Sequence, residues 1–93
     1  MNIQFVWDER KRRINLQLHG LDFVDVRRVF EAMTYTFEDD RFHYREQRFV
    51  TLGFLNAMAV AVVHTETPTQ IRVISFRKAS RNEAAILFDK VSD

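Results

Sequence analysis

The 93-residue chain is the length of one small domain, covering residues 1–93, and its 46% hydrophobic and 13% aromatic content excludes a disordered chain. It contains no cysteine, which excludes a disulfide framework, a thiolate metal site and a cysteine nucleophile. The formal net charge of +1 conceals eleven arginines among 14 basic residues, a composition that favours bidentate contacts to phosphate or carboxylate.

The first third of the chain is predicted to form a strand and two helices. Apolar side chains at every second position indicate a short strand over residues 3–7. Asp8 is a typical N-cap for a helix over residues 9–19, which ends where Gly20 can adopt a left-handed conformation. A second helix is predicted over residues 22–32. The side chains expected to face the core from these helices are Ile14, Leu18, Phe23, Val26, Phe30 and Met33.

After residue 34 the hydrophobic period changes to two, which predicts strands. They are expected at residues 35–37, 47–55, 57–66 and 70–76, with a polar connection over residues 41–46. Turns are predicted near Asn56 and Pro68, and Ser80 with Glu83 forms a capping box for a final helix. The predicted order is βααββββα. This is an α+β fold in which an antiparallel meander packs with two N-terminal helices and one C-terminal helix.

The register of the hairpins decides which charged side chains meet. Hairpins centred on Asn56 and Pro68 are expected to put Val50 on the same face as Val62, and Arg77 on the opposite face. At one end of the first face, the expected rows are Arg48, His64 and Arg72, followed by Glu46, Glu66 and Gln70. A one-residue slip would exchange the two faces.

His64 is the strongest candidate for proton transfer. Flanking arginines are expected to lower the pKa of its ring and keep it neutral near pH 7, while Glu66 orients it. Cleavage of RNA through its own 2′-hydroxyl needs such a base, and it needs cations at the phosphorane, which Arg48, Arg72 and Arg77 can supply. The alternative is that His64 is a structural hydrogen-bonding residue at a strand end.

A second candidate site lies where the last strand meets the last helix. Arg77 and Lys78 precede the N-terminus capped by Ser80, and Arg81 follows it, so together they could bind a phosphate. The alternative is that Arg77 forms a salt bridge with an acid while Lys78 and Arg81 are solvated charges.

Several classes of site and location are disfavoured. The histidines at positions 19, 43 and 64 have no familiar metal-ligand spacing, and no glycine-rich phosphate loop is present, so no metal or cofactor is expected. The longest apolar run, residues 57–63, is far below the roughly 20 residues of a membrane-spanning helix. No secretory leader is expected from the order of charged and apolar residues at the start, so a cytoplasmic location is expected.

Two separated motifs resemble one known family. The first is FVWDERKRRINLQLHGLDFVDVRRVF, over residues 5–30. The second combines RFVTLGFL from Arg48, AVVHTE ending at Glu66, and IRVISFRKASRNE ending at Glu83. Both resemble the BrnT family of type II toxins. Leu18 and Thr67 depart from the family pattern, which usually has a basic residue at each position.

The resemblance implies a small RelE-like fold and a metal-independent endoribonuclease that cuts RNA and stops growth. It also implies neutralisation by a BrnA-like ribbon-helix-helix antitoxin, in a complex that binds operator DNA through the antitoxin. Combined with the analysis above, it predicts catalytic roles for His64, Glu66, Arg72 and Arg77. It predicts RNA binding by Lys11, His19, Arg48, Lys78 and Arg81.

The alternative function is a non-catalytic module whose arginines dock an acidic antitoxin segment and which acts as a co-repressor. Direct DNA binding is a weaker third possibility, because no predicted helix combines a basic face with base-reading side chains. Growth arrest when the chain is expressed alone distinguishes the toxin from the other two.

Overall fold

The structure is a computed structural model and describes residues 2–41, 43 and 45–92. Its strands are β1 (Gln4–Val6), β2 (Tyr35–Glu38), β3 (Phe49–Leu55), β4 (Met58–Glu66) and β5 (Gln70–Lys78). Its helices are α1 (Glu9–His19), α2 (Val26–Phe30) and α3 (Arg81–Val91), and a 3₁₀ turn, Phe23–Asp25, precedes α2. The strands form one sheet in the order β1-β5-β4-β3-β2.

The sheet is mixed rather than wholly antiparallel. Strands β2 to β5 form the predicted antiparallel meander, whereas β1 pairs in parallel with the start of β5. The expectation of a purely antiparallel sheet is therefore wrong. The parallel pairing is possible because the long connection from β1 to the meander includes two helices and lets β1 reach the far edge.

Helix α1 begins and ends as predicted. The carboxylate of Asp8 accepts a hydrogen bond from the backbone N–H of Lys11 at 3.1 Å, and Gly20 adopts a left-handed conformation with φ of 70°. The side expected to face the core is wrong, however, because Ile14 and Leu18 are both exposed.

The buried residue of α1 is Asn15. Its side-chain amide donates to the carbonyl of Phe76 at 2.8 Å and to that of Leu21 at 3.0 Å, and its oxygen accepts from the N–H of Phe76 at 3.1 Å. Hydrogen bonds to the backbone of β5 therefore anchor the helix where an apolar stripe was expected.

The second helix is shorter than predicted. The 3₁₀ turn begins at Asp22, whose carboxylate accepts from the N–H of Val24 at 3.2 Å, and α2 has five residues. β-branched valines lose side-chain freedom in a helix, which disfavours a longer one. Gly53 of β3 allows α2 to approach closely, because a Cβ there would lie 2.6 Å from Cγ1 of Val29. Met33, predicted to be buried, is exposed.

The first hairpin has a two-residue turn, and this changes the register. Asn56 and Ala57 have φ of 51° and 67°, and Leu55 pairs with Met58 across the turn. Two positive φ values are typical of a type I′ turn. The predicted register, centred on Asn56 alone, is wrong by one residue, so Val50 faces Val63 and lies on the opposite face from Val62.

The second hairpin contains an irregularity that shifts the register again. Val63 pairs with Ser75 but His64 pairs with Val73, which leaves Ile74 as the extra residue of a β-bulge. Beyond the bulge, Thr65 pairs with Arg72. Since side chains alternate along a strand, His64 and Arg72 point to opposite faces, contrary to the predicted row.

Each face of the sheet carries its own core. The α1–α2 face is covered by the segment from Leu21 through α2, and its core residues are Leu21, Phe23, Val26, Val29, Leu55, Val60, Val62, Val73 and Phe76. The α3 face packs on α3 through Val50, Leu52, Ala61, Val63 and Leu87. Within the described ranges, no helix is long and apolar enough to cross a membrane.

Candidate functional site

The segment between β2 and β3 forms a charged cleft of about 400 Å³. Its lining residues are Glu38, Asp39, Asp40, Arg41, His43, Arg45, Glu46, Gln47 and Arg48. Asp39 is buried, and its carboxylate accepts two hydrogen bonds from the guanidinium of Arg41, at 2.8 and 3.0 Å. The predicted polar connection is thus a concave surface with cationic and anionic groups side by side.

One predicted RNA-binding residue and one predicted catalytic residue lie at this cleft. Arg48 lines it directly, just before β3 begins. Arg72 extends from β5 and forms a salt bridge with Glu46, another lining residue. The side chains of Arg72 and Glu46 are 46% and 45% exposed, so this ion pair stands in contact with solvent. The guanidinium of Arg72, at the margin of the cleft, is therefore within reach of an incoming anion.

Arg77 is held differently. Its guanidinium donates to both carboxylate oxygens of Glu83, at 2.7 and 3.0 Å, and the two side chains are 28% and 18% exposed. Glu83 also accepts from the N–H of Ser80 at 2.8 Å, which completes the predicted capping box. The hydrogen bonds from Arg77, and then those from Ser80, lower the pKa of Glu83 to about 2. The position expected to bind a phosphate is filled by this carboxylate.

The predicted arginines do not converge on one point. Arg72 and Arg77 lie five residues apart on β5, roughly 16 Å at the usual rise of a strand, and each contacts its own glutamate. Arg81 is exposed at the start of α3. The charges of Arg41 and Asp39 nevertheless act on the pKa of Arg77, which the hydrogen bond to Glu83 raises. Arg77 is thus within electrostatic reach of the cleft.

His64 is fully buried on the α1–α2 face. Its Nε2 lies 2.7 Å from Oγ1 of Thr51, which in turn lies 2.7 Å from Oγ1 of Thr36. The ring packs edge-on against Phe30 and stacks on Phe49. The predicted flanking by two arginines is wrong, because the register places Arg72 on the other face and aromatic rings beside the imidazole.

The other ring nitrogen of His64 faces the end of β4. Nδ1 lies 3.4 Å from the carbonyl oxygen of Thr65 and 3.7 Å from a carboxylate oxygen of Glu66. Burial lowers the pKa of His64, while the Thr65 carbonyl and the Glu66 charge act in the opposite direction. The predicted lowering of the His64 pKa is confirmed, but its cause is burial rather than neighbouring arginines. We infer that Nδ1 carries the proton and that Nε2 accepts from the Thr51 hydroxyl.

The remaining predicted RNA-binding residues lie away from the cleft. Lys11 and His19 are exposed on α1, and Lys78 pairs with Val60 on the α1–α2 face. Arg12, also on α1, is engaged by carboxylates, because its guanidinium contacts those of both Glu9 and Asp22.

Sequence reasoning missed Arg41, His43 and Arg45 as cleft residues, and it placed Glu46 in the row beside Arg72 without giving it a role. The available signal was the run RFHYR, residues 41–45, which alternates basic and aromatic side chains. Such interleaving is typical of surfaces that bind single-stranded nucleic acid. Across the described part of the chain, no cluster of three or more histidine, cysteine, aspartate or glutamate side chains is arranged to hold a metal ion.

Comparisons with known proteins agree with this picture. A family model described as "Ribonuclease toxin, BrnT, of type II toxin-antitoxin system" matches residues 7–83. The fold is similar to the 1.1 Å crystal structure of the Brucella abortus ribonuclease toxin BrnT, with a TM-score of 0.63 and 28% sequence identity, over 86% of this chain and 100% of that one. No curated protein sequence gives a significant match. The chain belongs to the BrnT family of ribonuclease toxins of type II toxin-antitoxin systems.

Proposed function

We propose that this protein is a metal-independent endoribonuclease that cleaves RNA in the bacterial cytoplasm and is neutralised by a BrnA-like ribbon-helix-helix antitoxin. Family membership supports the general activity. The observation that carries the site is the exposed ion pair between Arg72 and Glu46 at the margin of the charged cleft. The RelE-like assignment of the fold also stays a proposal, supported by the sheet and its flanking helices.

An exposed ion pair is readily exchanged for a stronger anion. Such pairs contribute about 0–1 kcal/mol, because water screens the charges and two long side chains lose freedom. A phosphodiester offers Arg72 a charged oxygen pair of matching geometry. Arg48 lines the same cleft and adds positive charge beside the phosphate, whereas the guanidinium of Arg41 is held by the carboxylate of Asp39. We therefore assign the scissile phosphate to Arg72 and Arg48.

The displaced carboxylate supplies a base. Once Arg72 binds phosphate, Glu46 can accept the proton of the 2′-hydroxyl, whose oxygen attacks the phosphorus. The new O2′–P bond replaces the P–O5′ bond and gives a 2′,3′-cyclic phosphate, while His43 in the same cleft donates a proton to the departing 5′-oxygen. The arginines stabilise the charge that develops on the phosphorane. No step requires a metal ion.

In this scheme His64 and Glu66 are not in contact with the reacting atoms. Glu66 is at the end of β4, and His64 is fully buried behind it. The geometry supports a positioning role for His64, because its hydrogen bond to Thr51, which in turn contacts Thr36, connects strands β4, β3 and β2.

The direct test is incubation of purified protein with RNA in excess EDTA. We expect cleavage products with 2′,3′-cyclic phosphate ends, and we expect Glu46→Gln to be strongly impaired. Glu31→Gln, which changes an exposed carboxylate just after α2, is the matched control and should cleave normally. Activity that EDTA abolishes, or that Glu46→Gln retains in full, would contradict the mechanism.

The alternative of a non-catalytic co-repressor makes opposite predictions. Expression of the toxin alone should arrest growth. The resemblance to the family implies that the antitoxin is encoded by the neighbouring reading frame, so co-expression of that protein should relieve the arrest. Unchanged growth, together with intact RNA in vitro, would favour the co-repressor. The affinity for RNA should also fall steeply with salt, since phosphate contacts release counterions.

A further inference from the structure

Helix α1 exposes an unusual combination of side chains. Lys11, Ile14 and Leu18 are spaced three and four residues apart, so they lie along one side of the helix, and Arg10 is one turn before Ile14. Ile14 is 47% exposed and Leu18 is 72% exposed. We call Arg10, Lys11, Ile14 and Leu18 the α1 stripe. It is an apolar strip with a cationic end.

The aliphatic residues of the stripe are not needed to attach the helix. The attachment of α1 to β5 depends on the three hydrogen bonds of the buried Asn15. Leaving Ile14 and Leu18 in water costs free energy in proportion to their apolar area, and binding a partner recovers it. Two adjacent exposed aliphatic side chains on a helix are typical anchors for a helical partner.

The charge of α1 indicates which partner suits the stripe. The only carboxylate within α1 is Glu9, and the guanidinium of Arg12 engages it. Asp22, beyond the helix, engages Arg12 as well. Arg10, Lys11 and Arg13 remain exposed with no acid of the helix left to balance them. A partner with acidic side chains around an aliphatic strip is therefore complementary in both charge and polarity.

RNA fits this surface less well than protein does. Single-stranded RNA is bound by stacking its bases on aromatic side chains, and none of the four residues of the α1 stripe is aromatic. The stripe also belongs to a helix that contacts the outer edge of β5 at Phe76, roughly 13 Å along the strand from Arg72 at the usual rise of a strand.

We propose that the α1 stripe is the docking surface for an acidic, amphipathic helical segment of the antitoxin. This inference rests on the proposed function, since it assigns a surface to the partner named there. It places the affinity for the antitoxin on α1 and reassigns Lys11 from RNA to protein recognition. The contact buries Ile14 and Leu18 and pairs Arg10 and Lys11 with carboxylates.

The test measures binding of the protein encoded by the neighbouring reading frame to full-length toxin variants. The double variant Ile14→Ser/Leu18→Ser should weaken binding by roughly 30-fold or more, because central apolar anchors dominate such interfaces. Met33→Ser is the matched control: it changes another exposed apolar side chain, after α2, and should bind within about 2-fold of wild type. Both variants should cleave RNA normally.

A second variant reports charge without removing apolar surface. Arg10→Glu should slow association and reduce its dependence on salt, as expected for a rim cation.

If wild type and the double variant bind equally, the α1 stripe is not the docking surface, although the proposed function stands. If RNA cleavage falls in parallel with affinity, the stripe contacts RNA and the inference is wrong. If wild type does not bind the neighbouring protein at all, the proposed partner and the inference fall together.

Discussion

The two ends of β5 hold the same pair of residue types in different environments. Arg72 contacts Glu46 where both are almost half exposed, whereas Arg77 contacts Glu83 in a partly buried site that also caps α3. The first pair joins a strand to a long connection, and the second closes a helix terminus. Exposure and additional hydrogen bonds, not residue type, decide which arginine is available to a ligand and which stabilises the fold.

The largest effect is expected from Arg72→Ala. RNA cleavage should fall by roughly 100- to 1,000-fold, as when a donor to a developing charge is removed. The free energy of unfolding should change by less than about 1 kcal/mol, because the lost ion pair is exposed. Single-turnover cleavage and urea unfolding measure the two effects. A large loss of stability without a loss of cleavage would reverse the assignment of the two arginines.

Arg77→Ala should reduce the stability of the fold more than Arg72→Ala does. The free energy of unfolding should fall by about 1.5–3 kcal/mol, because two charge-assisted hydrogen bonds are lost and Glu83 keeps only its capping contacts. For a domain of this size each kcal/mol lowers the melting temperature by about 4–8 °C. Arg81→Ala, at an exposed neighbouring position, is the control and should melt close to wild type. If Arg77→Ala and Arg81→Ala have the same melting temperature, the contact between Arg77 and Glu83 does not stabilise the fold.

A smaller effect on stability is expected at the buried histidine. Thr51→Val keeps the shape of the side chain but leaves Nε2 of His64 without its hydroxyl partner, which should cost about 1–2 kcal/mol. Thr69→Val, in the exposed turn between β4 and β5, provides the comparison. If both variants unfold at the same denaturant concentration, the row from Thr36 to His64 contributes nothing to stability.

The pH dependence of stability should separate the capped pair from the buried histidine. The pKa of Glu83 is lowered to about 2, so its contribution is complete above about pH 4.5 and is lost as the pH falls from 4.5 towards 2. Burial also lowers the pKa of His64, so its contribution is complete above pH 6.5 and declines below that value. Unfolding of wild type and Glu83→Gln should converge only below pH 4.5. A constant difference down to pH 2 would contradict the assignment.

Local signals in the sequence predicted the helix termini well. Asp8 and Gly20 bound α1, and Ser80 with Glu83 caps α3, because each of these motifs acts through contacts within four residues. Strand existence was also predictable, since alternation is a local property. Family membership was recognisable from motifs that span most of the chain.

The charged site was less predictable because it depends on register. Whether the turn at Asn56 has one or two residues changes the face of every side chain in β3 relative to β4. The bulge beside His64 then puts His64 and Arg72 on opposite faces, and no local sequence pattern predicts this bulge. The pairings of Arg72 with Glu46 and of Arg77 with Glu83 are set by tertiary structure, so the sequence could name the arginines and both carboxylates but not which carboxylate holds which arginine.

The contact between Asn15 and Phe76 has a further consequence for how copies of the protein behave at high concentration. β1 covers only residues 70–72 of the outer edge of β5, and farther along the side-chain amide of Asn15 occupies both backbone groups of Phe76. An amide offers the donor and acceptor that another strand would offer, so this stretch cannot readily recruit one. A single polar side chain thereby protects the molecule against intermolecular strand addition, and Asn15→Leu should make it prone to self-association.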